Sequence, residues 1–191
     1  MLGNGINWLI SAATSYSPVL AGLLAGLLIW PAIIGGVYHA AILPIVMLEM
    51  ESTGYSFLGA IDMVGLVMVS AGITLANVAA PKNKADSTAA LPGFLINVLF
   101  GTFVEASYPF MFSSKLVFGT ALASAGVGGL LVGLLGVKGT AYVPSVMAPF
   151  MANDRHVLQM AICMIAAMGA AFVLTVLSNR IEKNNEVEGK R

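Results

Sequence analysis

From Met1 to Leu48 the chain carries no charged side chain, and a second apolar run then reaches Ala80. Such a length of sequence holds few alternatives. Backbone polar groups inside a bilayer must be satisfied within the segment, so only helices or a closed barrel can span it. The runs here are near-continuous rather than alternating, which points to helices. The whole chain is 58% hydrophobic and 9% charged, against about 25% charged in soluble domains. The fold expected is an all-α integral membrane protein with about four transmembrane helices plus re-entrant hairpin segments. The formal net charge of zero leaves no basic footprint for nucleic acid.

Residues 1–17, with Trp8, Tyr16 and several Ser and Asn, suit an interfacial segment. Their start lacks the basic region of a secretory signal. Pro18 then stands where helices begin. Spans are expected at about 18–43, 58–80, 116–137 and 157–179, each close to the roughly 20 residues a bilayer needs. Pro31, Gly35 and Gly36 should kink or break the second half of the first. Gly22, Gly26 and the glycines between Gly119 and Gly133 permit close helix contact. Asn77 has a free choice between an interhelical bond and the interface. Residues 44–57, with Pro44 and the turn signal Thr53-Gly54-Tyr55, read as irregular or re-entrant. Residues 81–89 read as a polar loop, residues 138–156 as irregular, and residues 181–191 as a frayed cytoplasmic tail.

Glu105 is the only charge between Asp86 and Lys115. A carboxylate at mid-bilayer costs about 3 kcal/mol on insertion scales. It persists where it faces a polar cavity, a partner or a ligand. Gly101 and Pro109 bracket it, and both interrupt helices. Residues 90–113 are therefore expected to form a re-entrant hairpin that presents Glu105 to a polar ligand. The simpler reading is an ordinary helix with Glu105 protonated or paired to a neighbour. With a hairpin that does not cross, Lys82, Lys84, Lys115, Arg180, Lys183, Lys190 and Arg191 share one side of the membrane. That is seven of the nine basic residues, so this side is cytoplasmic and so are both termini. Glu49, Glu51 and Asp62 are expected in or near an outer loop, as solvated charge, with the lining of an entry vestibule as the alternative. Cys163 lies alone in an apolar run and reads as inert packing. No metal-ligand spacing occurs, and no cofactor is expected.

Several stretches taken together resemble a known family. They are Ser17-Pro18-Val19-Leu20-Ala21-Gly22, then His39 to Pro44 within Gly36–Ile45, then Thr53-Gly54-Tyr55, Lys82-Asn83-Lys84, Phe100-Gly101 to Glu105, and Gly136-Val137-Lys138. In order and spacing they resemble the C-terminal half of the membrane-spanning enzyme IIC of the bacterial sugar phosphotransferase system, in its glucose/β-glucoside/sucrose branch. Val104 stands where that family has Thr, Ala106 where it has Pro, and one extra residue lies between Gly101 and Glu105. The resemblance implies a sugar-binding and translocating subunit of a phosphoenolpyruvate-dependent permease in the bacterial inner membrane. The sugar would be phosphorylated by a separate soluble phosphocarrier B domain, so this chain would carry no catalytic residue and no phosphorylation site of its own. A second polypeptide would supply the N-terminal half of enzyme IIC, and an oligomer is expected. Glu105 and His39 are carried over as sugar-binding residues, with Asn97 as a further hydrogen-bonder and Tyr108 as a stacking surface. The alternatives are a truncated, non-transporting scaffold or regulatory remnant, and an unrelated proton-coupled carrier using Glu105 as a relay.

Overall fold

A computed structural model describes residues 16–188, with side chains through Asn185. The interfacial segment expected at 1–17 lies outside the described residues apart from its last two positions. The protein is an all-α membrane protein. Among the described residues, three helices are long and apolar enough to cross a bilayer, or four if one bent pair is a single span.

Helix α1 (Pro18–Ile34) starts with Pro18 in its first turn and Ser17 as its cap. At Gly35–Gly36 the chain turns, with Gly36 at φ +75°, a conformation glycine adopts without steric cost. A π-helical turn, Tyr38–Ile42, then leads into α2 (Leu43–Thr53). The two arms make an angle of 111°. Within the stretch 44–57, expected as irregular or re-entrant, residues 44–53 are helical. Pro44 is the second residue of α2, just after the π-helical turn, and the helix runs on through it. Gly54, at φ +83°, ends the helix.

Helix α3 (Phe57–Ala79) is the post around which the others pack. It is largely apolar and almost wholly buried, the pattern of a helix surrounded by helices. Residues 62–68 within it are π-helical. From there the Gly65 carbonyl accepts from the Trp30 indole at 2.9 Å, joining α1 to α3. Gly72 brings α7 (Val157–Glu188) close, since a Cβ there would lie 2.4 Å from the Met168 carbonyl oxygen.

Helix α4 (Lys84–Phe100) starts inside the stretch expected as a polar loop, because the Asn83 side chain caps it by accepting from Asp86 N at 3.0 Å. After α4 come a 3-10 turn (Val104–Ser107) and the short α5 (Tyr108–Ser113). Helix α6 (Lys115–Leu134) packs along α1, backbone against backbone. A Cβ on Gly22, Gly26, Gly129 or Gly133 would lie 2.1 Å from a carbonyl oxygen of the facing helix. Only hydrogen fits there, and Cα–H to carbonyl contacts of this kind contribute about 0.5–1 kcal/mol each. Outward-facing Leu20, Leu24 and Leu28 on α1, and Leu158, Ile162 and Ile165 on α7, are exposed, as lipid-facing surfaces are.

Polar residues close one end of the bundle. Asn179 Nδ2 donates to Asn77 Oδ1 at 3.0 Å and to the Ala80 carbonyl at 3.1 Å. Glu182 accepts from both Lys82 and Ser114. α7 continues to Glu188, so the polar residues from Arg180 to there are helical rather than frayed.

Candidate functional site

The carboxylate-bearing turn is built from helix-stopping residues. Gly101 ends α4 at φ +68°, and a Cβ there would meet the Val143 carbonyl oxygen at 2.2 Å. The chain folds back beside α4, with Ala106 against Gly93. Pro109 lies in the first turn of α5, so the return segment breaks before it rather than at it.

Asn97 pins this turn from behind. Its side chain donates to Ser70 Oγ at 2.8 Å and accepts from Phe103 N at 3.1 Å. Its carbonyl accepts from Ser145 Oγ at 2.7 Å. Ser70 and Ser107 both donate to the Val104 carbonyl, at 3.0 and 2.8 Å. The residue before Glu105 is thereby fixed to α3.

In front of the turn lies a polar cleft of about 90 Å³. A water needs about 10–15 Å³ on this scale, so the cleft holds several. His39, Asp62, Thr102, Glu105 and Tyr142 line it, with Ile33, Leu66 and Val104 as apolar wall. Two residues singled out from the sequence, His39 and Glu105, thus share one cleft although they are far apart in the chain. Both are exposed. Asn97 does not line it: it is fully buried, with its amide engaged by Ser70 and Phe103. Tyr108 does not line it either. Its ring packs edge-on to Trp30, with centroids 6.4 Å apart, and tilts against Phe112 at 5.4 Å.

Asp62, Tyr38 and Tyr142 were not expected here. Asp62 is no solvated loop charge. Helix α3 starts at Phe57, so Asp62 lies more than a turn inside it and is 6% exposed. Tyr38, itself buried, donates from its hydroxyl to Asp62 Oδ1 at 2.8 Å, and its ring stacks edge-on to His39 at 5.3 Å. Tyr142 enters from the segment between α6 and α7 with φ +57°, a left-handed conformation uncommon for a bulky residue. Such outliers persist where the surroundings impose them, often at ligand sites. Partial burial, and then the charge of Asp62, push the Tyr142 phenol above its ordinary range.

Acids, an imidazole, a hydroxyl and a phenol in one small cleft form a set of hydrogen-bond donors and acceptors suited to a polyhydroxylated ligand. Among the described residues, no Lys or Arg lines the cleft. Among the described residues, no three His, Cys, Asp or Glu side chains converge as metal ligands. Cys163 is buried in α7.

No protein-family model matches the chain. No solved structure matches it. Among curated proteins it is similar to the "PTS system glucose-specific EIIBCA component" of Corynebacterium glutamicum, at 26% identity over 146 residues. The match covers 74% of this chain and 21% of that protein, so the chain spans about a fifth of the length of the relative it matches.

Proposed function

We propose that this chain is a sugar-holding, sugar-moving membrane part of a phosphotransferase-type permease. The similarity to a glucose-specific component makes glucose the first sugar to test. One observation carries the reading: His39, beyond the break after α1, and Glu105, on the turn after α4, line the same polar cleft.

The chemistry follows from the side chains. A carboxylate takes short, charge-assisted hydrogen bonds from sugar hydroxyls. A neutral imidazole donates one bond and accepts another. The Tyr142 ring gives the apolar face of a pyranose a surface to rest on. The chain's part is to bind and orient the sugar. The phosphoryl group would come from a soluble B domain on the cytoplasmic side, and the sugar would leave as its phosphate.

The test is glucose uptake by cells that supply the B domain and the polypeptide carrying the other half of enzyme IIC. Glu105→Gln is expected to abolish uptake while its level in the membrane stays unchanged. Unchanged uptake by that variant would remove Glu105 from the mechanism. Uptake that follows the pH gradient and ignores the B domain would point to a proton-coupled carrier instead.

A further inference from the structure

Asp62 differs from the other acid of the cleft. Glu105 is exposed on a turn, whereas Asp62 is only 6% exposed, at the first residue of the π-helical stretch of α3. A carboxyl group offers about four lone-pair sites. Among the described residues, only Tyr38 hydrogen-bonds it, and that bond goes to Oδ1. Among the described residues, the cleft brings it no lysine or arginine. A buried carboxyl so short of partners is costly unless something else completes it. The cleft it lines is where that partner can come from.

We infer that Asp62 is a third hydroxyl-binding group of the cleft, with its free oxygen turned to a sugar hydroxyl and Tyr38 holding it in place. This rests on the sugar-transport reading and extends it to a residue outside the family resemblance. Protonation state does not alter the geometry: ionised, the free oxygen accepts from a hydroxyl, and protonated, it donates to one. Tyr38 is a positioning residue. It fixes one oxygen, so the other has one direction to face, and no rotamer search is needed on binding. A purely structural role, in which Asp62 only fastens Tyr38 to α3, predicts a different pattern of ligand preference.

The experiment is equilibrium binding of glucose and each of its monodeoxy analogues to the full chain in nanodiscs. Wild type is compared with Asp62→Asn, Asp62→Ala and Tyr38→Phe. In wild type, removal of the hydroxyl that meets Asp62 is expected to weaken binding about tenfold or more. Asp62→Asn should shrink that one penalty, Asp62→Ala should erase it, and the penalties at other hydroxyls should stay. If the Asp62 variants do not fold, Tyr38→Phe decides, because it frees the carboxyl and should shrink the same penalty. Identical penalties at every hydroxyl in wild type and variants overturn the inference but leave the sugar reading standing. No glucose binding by wild type overturns both.

Discussion

Asn97 donates to Ser70 Oγ at 2.8 Å, and through that bond the turn carrying Glu105 is tied to the central helix. The same side chain holds Phe103 N. Asn97→Leu leaves buried polar groups unpaired, at about 1–3 kcal/mol for each. We expect a loss of about 2–3 kcal/mol in unfolding stability. Hydrogen exchange should rise at residues 101–107 while α6 stays protected. Equal protection of that turn in the variant would show that Asn97 does not hold it.

The α1–α6 seam tolerates no side chain at its glycines. Gly129→Leu drives a side chain into the Gly22 carbonyl and should prevent the two helices from closing. We expect more than about 3 kcal/mol of destabilisation, or no folded protein. Gly119, on the same helix, has open space where a Cβ would stand, with nothing within 4 Å. Gly119→Ala should therefore be neutral or slightly stabilising. Thermal unfolding in detergent compares the two.

Among the described residues, the cleft is lined by two acids and no lysine or arginine. An anionic ligand meets like charge there, and like-charge juxtaposition costs several kcal/mol. Glucose should therefore bind at least about tenfold tighter than glucose 6-phosphate, measured by competition. Equal affinity would mean that the acids do not set the field of the cleft.

Glu182 accepts from Lys82 and Ser114 at the polar end of the bundle, with about a quarter of its side chain (26%) exposed. Exposed ion pairs contribute about 0–1 kcal/mol. Glu182→Gln should lower stability by no more than about 1 kcal/mol, less at high salt, and leave glucose affinity unchanged. A change in affinity would couple this end of the bundle to the cleft.

The all-α membrane fold is legible because near-continuous apolar runs of span length leave a chain few other solutions. The close α1–α6 seam is legible in part, since its small residues advertise contact without naming the partner. Glu105 stands out because it is isolated in a long apolar run. Asp62 carries the same signal, inside the span expected at 58–80, but it reads with Glu49 and Glu51 as charge near a loop. The helix begins at Phe57, where Ser56 caps it by accepting from Gly59 N at 3.1 Å. Pro44 misleads because it reads as a helix breaker, yet the π-helical turn Tyr38–Ile42 runs straight into α2 and carries the helix past it. Tyr142 has no local signature: its place in the cleft depends on how the segment after α6 lies over Gly101, a contact between distant parts of the chain.

The central claim is that His39 and Glu105 bind one sugar together. A double-mutant cycle of His39→Gln and Glu105→Gln on glucose affinity tests it most directly. Groups that share a ligand are expected to couple, by at least about 0.5 kcal/mol. Strictly additive losses, or no loss from either substitution, would contradict it.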